Sequence, residues 1–230
     1  MKALIIGARG SLGSQLCKSL SHQGMEIYGT SRNAEDLGDY LAKMDVPLKQ
    51  AYSVDFTCLR SIQKFMVGIK AVNFDLIVFV SSPFLGAYAE MTEEELLGWN
   101  NFTTGAALIG KFSITNLSDS GKLIYIGSVA GMLNKLPKAI APYGVYKGTL
   151  RLLAEAMQNE GVNAHYINLG SFRDEKSKEG YLFSSEVVSS LIALVDDANA
   201  PLQLDLMSET ERLHYYGKAK ADISSSTEHS

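Results

Sequence analysis

Cysteine is nearly absent from this chain. Cys17 and Cys58 are its only two, without CxxC spacing. That excludes a disulfide framework and points to a reducing, cytoplasmic setting. Proline is scarce as well, five of 230 residues, and no Pro-rich or Gly/Ser-rich stretch divides the sequence into domains. Excess charge is missing: 21 Lys and Arg against 25 Asp and Glu leave a net −4. A general nucleic-acid binder would usually carry a basic excess. The longest notable apolar run, Leu76 to Val80, is five residues, too short for a membrane span. Met1 to Ile6 carries one Lys and runs straight into glycine, unlike a secretory leader. The four histidines show no metal or triad spacing, and His165 reads as structural. What remains is a soluble chain, 46% apolar, long enough to bury one sizeable core.

Strands and helices alternate along it. Lys2–Ile6, Met25–Gly29, Gln50–Val54, Phe74–Val80, Lys122–Ile126, Val162–Asn168 and Leu202–Leu206 read as strands, the fourth apolar enough to be covered on both faces. Helices are expected over Ser11–Gln23, Thr92–Phe112, Tyr143–Asn159 and Ser184–Val195. Thr92 with Glu95 three residues later has capping-box spacing. This alternation predicts an α/β doubly wound parallel sheet, a Rossmann fold, as a single domain over 1–219 with a polar tail at 220–230.

Gly7-Ala8-Arg9-Gly10-Ser11-Leu12-Gly13 lies at the first strand–helix junction. There Gly7 makes the tight turn, Gly10 admits a pyrophosphate and Gly13 packs helix on strand. The free N–H groups of Ser11 and Leu12 at the helix start suit phosphate. An NAD site usually ends the second strand with an acid, whereas this one ends Gly29-Thr30-Ser31-Arg32. Arg32 with Ser31, and Arg9 from the loop, suit a 2′-phosphate, so NADP(H) is favoured. Arg32 as a solvated cation, with Glu35 or Asp36 as a late acid, leaves NAD(H) open. Asp55, beside Phe56 after the third strand, stands either where adenine needs an acceptor or as a helix N-cap.

Tyr143 and Lys147 are four apart on one helix face, and an ammonium near a phenol lowers its pKa. Ser128 ends the fifth strand at the edge where open α/β sheets keep ligands. Asn101 lies inside a long helix, where Asn is a mediocre helix former.

Gly7, Gly10, Gly13, Asp55, Asn101, Ser128, Tyr143 and Lys147 together resemble the short-chain dehydrogenase/reductase family, in its order, over residues 1 to about 170. The resemblance implies that Tyr143 exchanges a proton with a carbonyl or alcohol while a nicotinamide exchanges hydride. It makes Lys147 the group that lowers the Tyr143 pKa and holds the nicotinamide ribose, and Ser128 a donor to the substrate oxygen. Asn101 becomes the residue holding a helix break and a water that links Lys147 to solvent. It implies a small-molecule substrate and a homodimer or homotetramer packed through the two long helices.

The chain departs from the family in several places. The loop reads GxxGxxG, as in atypical members. Ser81 and Ser82 stand where Asn-Asn-Ala-Gly is common. The 15 residues from Ser128 to Tyr143 are about two more than expected, giving Met132, Leu133 and Leu136 the choice of lining a pocket or packing. Leu169-Gly170 replaces Pro-Gly, and the Thr that anchors the carboxamide is missing, leaving Ser171 or the Phe172 backbone to replace it. The charged run Ser171–Gly180 is either a solvated loop or a reader of anionic substrates through Arg173, Lys176 or Lys178. Trp99 reads as packing. Two alternatives stay beside the reductase: a silent or regulatory NADP(H) binder, and an epimerase or dehydratase with tightly held NAD, for which roughly 60 residues beyond the sheet leave little substrate domain.

Overall fold

The computed structural model describes residues 1–83, 86–132, 137–173 and 182–213. Leu133, Leu136, Lys176, Lys178, the Arg173 side chain and the tail fall outside the described residues.

Seven parallel strands form one sheet in the order β3-β2-β1-β4-β5-β6-β9. They are β1 (Lys2–Ile6), β2 (Glu26–Ser31), β3 (Leu48–Ser53), β4 (Phe74–Phe79), β5 (Leu117–Ile126), β6 (Ala164–Leu169) and β9 (Gln203–Leu206). Two short strands, β7 (Phe172–Arg173) and β8 (Leu182–Phe183), pair separately. The helices are α1 (Ser11–His22), α2 (Ala34–Ala42), α3 (Leu59–Ile69), α4 (Glu93–Asn116), α5 (Ala141–Asn159), α6 (Ser184–Asp196) and the one-turn α7 (Glu209–Arg212). The expected doubly wound sheet is therefore present, with every expected strand in it.

Strands β1 and β4 are nearly all apolar because each faces a core on both sides. Leu4 and Ile6 point into a cluster with α3, α4 and α5. Ala3 and Ile5 point into a second cluster with α1, α2 and α6. From β1 the chain winds outward to β3, then crosses back to β4 on the other side of β1. The loops after β1 and β4 part there, and the sheet opens a crevice at its carboxyl edge.

Several boundaries move for identifiable reasons. Thr92 caps α4 as its spacing predicts, accepting from Glu95 N at 3.2 Å while Glu95 accepts from Thr92 N at 2.8 Å. The helix then runs unbroken to Asn116, so no break stands at Asn101. Strand β5 starts five residues before Lys122: Leu117 pairs with Phe74 and the register then shifts, so that Leu76 faces Lys122. Two short helices, α2 and α3, were not anticipated. Asn33 caps the first through its side chain.

Lys122 is buried and closes the far end of α6. Its Nζ donates to the carbonyls of Leu194 (2.7 Å), Val195 (2.8 Å) and Asp197 (2.6 Å). A cation there satisfies the last orphan carbonyls and the helix dipole together. Lys122→Met keeps the aliphatic stem and removes every donor. We expect it to cost about 2–3 kcal/mol and to lower the calorimetric Tm by several degrees.

Candidate active site

The glycine loop is held by backbone against backbone. Gly7 adopts φ +94°, a conformation glycine reaches without strain. Its N–H donates to Thr30 Oγ1 at 3.0 Å, and Ala8 N donates to Thr30 O at 3.0 Å, fastening the turn to β2. A Cβ on Gly13 would lie 2.2 Å from the Gly7 carbonyl oxygen, so α1 can approach the strand only without a side chain there. Gly10 caps α1 with no side-chain hydrogen bond. The first-turn residues Ser11 and Leu12 therefore bring unclaimed helix-start polarity to a cavity of about 350 Å³ shared with Ser81, Ser82, Tyr143 and Lys147. This cradle, roofed by backbone and closed to any Cβ at Gly13, fits a dinucleotide pyrophosphate.

A larger cavity of about 870 Å³ adjoins it, lined among others by Arg9, Ser31, Arg32, Asp55, Phe56 and Phe102. The structure brings these predicted residues together but gives several of them other partners. Arg9 Nε sits 2.9 Å from Asp36 Oδ2, and its guanidinium stacks 3.9 Å above the Tyr40 ring. It lines the cavity with that acid beside it. The Ser31 hydroxyl bonds Asn33 O and accepts from Asn33 N, shaping the entry to α2. Asp55 is no N-cap, since Cys58 holds that place before α3. Its Oδ1 instead accepts from Thr57 N (2.9 Å) and Thr57 Oγ1 (2.7 Å), closing a turn on the cavity wall. Phe56 is buried against Phe79 and Phe102, with ring centroids 5.3 and 5.8 Å away.

At the other end, Ser128, Tyr143 and Lys147 meet. The Ser128 side chain acts on the Tyr143 hydroxyl and favours its ionised form. Lys147 Nζ lies 5.5 Å from the Tyr143 ring centre and donates to Ile126 O at 2.8 Å. The packing that assembles them runs through glycines. A Cβ on Gly131 would stand 2.6 Å from Gly148 N, so the turn carrying Ser128 lies directly on α5. Tyr166, which the sequence did not single out, spans the junction. Its hydroxyl accepts from Ser128 N and donates to Lys147 O, each at 3.4 Å, and its ring occupies the space a Cβ on Gly127 would need.

The electrostatics correct one expectation. Burial raises the Tyr143 phenol above its ordinary value, and the Ser128 side chain pulls only partly against it. The expected lowering by Lys147 is not what governs this phenol, because burial pushes the Lys147 ammonium itself down to about 7. A lysine at that value holds its charge only part of the time at neutral pH.

Two further expected site residues have partners of their own. Asn101 does not turn toward Lys147: its Nδ2 donates to Thr57 O at 2.7 Å, on the cavity wall. Lys147 is instead flanked by Tyr146, whose ring lies 5.6 Å away and whose hydroxyl donates to Ser81 O at 3.2 Å. At Ser171, which with the Phe172 backbone was expected to replace the carboxamide anchor, the N–H donates to Glu211 Oε1 at 2.7 Å. Glu211 is buried, accepts from Ser208 as well, and its Oε2 lies 2.6 Å from where a Cβ on Gly170 would be. Its Ser208–Glu211 capping-box spacing was the signal in the sequence that could have revealed it. Trp99 packs edge-on against Tyr146 at 6.3 Å. His165 is held by Pro201 O and Asn163 Oδ1, both at 2.9 Å. Among the described residues no cluster of His, Cys, Asp and Glu could hold a metal, and no helix is long and apolar enough to cross a membrane.

Comparison with known proteins agrees with this geometry. The model of the NAD-dependent epimerase/dehydratase family matches residues 3–210. An uncharacterized oxidoreductase of Staphylococcus epidermidis is 23% identical over 164 residues, 69% of this chain and 70% of that protein. A short-chain dehydrogenase from Streptomyces avermitilis superposes with a TM-score of 0.79 at 20% identity, covering 99% of this chain and 94% of its own. One from Sphingobium yanoikuyae, solved with NADPH, superposes at 0.71 and 15% identity, covering 97% and 95%.

The Lys147 shift carries a pH signature. Its folded pKa lies below its unfolded value of 10.5, so above about pH 7 the unfolded chain binds the extra proton. Stability should then rise with pH between 7 and 9, by about 2 kcal/mol at roughly 1.4 kcal/mol per unit. Burial pushes the Cys17 thiol up from 9.0 to about 12, which opposes this only from about pH 9 upward. Urea unfolding of the protein and of Lys147→Met across that window tests it: the slope should fall sharply in the variant, leaving only the smaller rise from Lys122, which burial also pushes down, and an equal slope in both refutes the assignment.

Proposed function

Because the chain belongs to the NAD-dependent epimerase/dehydratase family, we propose that it is an oxidoreductase of the short-chain dehydrogenase/reductase type that uses NADP(H) to reduce a ketone or aldehyde of a small molecule, or runs the reverse oxidation. The observation that carries this reading is Tyr143 and a buried Lys147, its Nζ 5.5 Å from the phenol ring, lining one cavity with the glycine cradle.

The first turn of α1 would hold the pyrophosphate, and the cavity walled by Asp55, Phe56, Ser31 and Arg32 would hold the adenosine end. When bound, the nicotinamide supplies or accepts the hydride. Tyr143 does the proton work: its hydroxyl protonates the substrate oxygen as charge develops there. Ser128 donates to the same oxygen and fixes the phenol's direction. Lys147, charged part of the time, holds the ribose side and returns a proton toward Tyr143. Leu97, Val145 and Leu152 are exposed on α4 and α5, which supports association of copies through those helices.

The choice of NADP(H) rests on Arg9 and Arg32 at a strand end without an acid. A specific observation keeps NAD(H) as the second reading: Asp36 already neutralises Arg9. The family match also supports an epimerase or dehydratase, and NAD that survives purification and never exchanges would favour that reading.

A thermal-shift screen of NADPH against NADH, followed by a carbonyl panel with the better ligand, tests the proposal. Tyr143→Phe should lose turnover by at least about 10²-fold while dinucleotide binding stays within a few-fold. Turnover retained in that variant would remove Tyr143 as the acid. Binding without turnover across the panel would leave a regulatory binder.

A further inference from the structure

Asn101 stands in one stripe of α4 that the dinucleotide cavity wall occupies. Gly98, Asn101 and Gly105 follow at helical spacing, so all three face the same way. The turn Asp55-Phe56-Thr57 lies along that stripe. A Cβ on Gly98 would meet Thr57 Cβ at 3.2 Å, and one on Gly105 would meet Phe56 Cδ1 at 2.4 Å. Between them Asn101 Nδ2 donates to Thr57 O at 2.7 Å. The two glycines make the groove and the amide pins the turn within it. From the other side Asp55 holds Thr57 N and Oγ1. Asp55, Phe56 and Thr57 all line the larger cavity, whereas Asn101 itself does not.

We propose that Asn101 is a positioning residue for the adenine half of the bound dinucleotide, acting through Thr57, and takes no part in the proton chemistry at Tyr143. The inference rests on the dinucleotide reading above. It follows from where the amide goes: the unbroken helix leaves no gap at Asn101, the side chain is committed to a carbonyl 44 residues earlier in the chain, and Tyr146 stands beside Lys147 instead. With the pin in place the Thr57 backbone and the Asp55 carboxylate keep a fixed register against each other. Without it, Thr57 O turns to solvent and the wall loses that register.

The test uses ADP-ribose, which carries the adenine half and lacks nicotinamide. In Asn101→Ala its Kd, measured by calorimetry, should rise about three- to tenfold, the size of one neutral hydrogen bond. Asn101→Asp sets an acceptor against Thr57 O and should lose as much or more. Asn101→Gln keeps an amide donor and should recover part of the affinity. NADPH emission at saturation should match wild type in all three, because the nicotinamide end is untouched. Amide exchange over residues 55–58 should quicken in the unliganded Ala and Asp variants. Wild-type ADP-ribose affinity in Asn101→Ala overturns the proposal, and so does a shifted pH profile of turnover with unchanged affinity. If the wild-type protein binds neither ADP-ribose nor NADPH, the dinucleotide reading itself falls and this inference with it.

Discussion

The Gly7 carbonyl stands 2.2 Å from the place a side chain on Gly13 would begin. That closeness is what lets the start of α1 sit over the end of β1, and the rest of the site is arranged around it. Gly7 is held from one side by Thr30 on β2 and lies against Ser81 after β4 from the other. Strands β2 and β4 therefore both report to the same turn. The Asp55 side and the Tyr143 side are two halves of a crevice joined at one backbone contact.

Close backbone approach recurs wherever the site must be compact. Gly127 yields its space to Tyr166, Gly131 and Gly148 let a turn lie on α5, and Gly98 and Gly105 let another lie on α4. Side chains with hydrogen-bonding ends then lock each approach: Tyr166 across Ser128 and Lys147, Asn101 onto Thr57, Glu211 onto Ser171. Shape comes from missing Cβ atoms and orientation from single polar pins. Lys147 is the costly member, a buried cation whose main partner is a neutral carbonyl.

The sheet was legible because its strands are short apolar runs ended by glycine or polar turns, a pattern local in sequence. Gly7, Gly10, Gly13, Ser128, Tyr143 and Lys147 were legible for the same reason: each belongs to a motif whose spacing fixes its place. The short helices α2 and α3 were missed, since nine and eleven residues give a helical period little room to show. The partner of Asn101 lies across the fold at Thr57, and nothing in the local sequence says which way an amide on a long helix turns. Arg9 looked free until Asp36 and Tyr40 came beside it from α2. Tyr166 does its work through tertiary contacts alone, whereas Glu211 shows locally only as the fourth residue of a capping box.

The pairing of Phe172–Arg173 with Leu182–Phe183 brings two points of the chain side by side at the rim of the crevice. Leu182 N donates to Ser171 O, Glu211 fastens Ser171, and Glu186 fastens Phe183, so both flanks are anchored. Closing a longer segment between fixed ends costs only about 0.6 kcal/mol for each doubling of its length. Insertions or replacements between these anchors are thus nearly free to the fold. The sheet and the anchors at its edge can stay as they are while the length of chain between them varies.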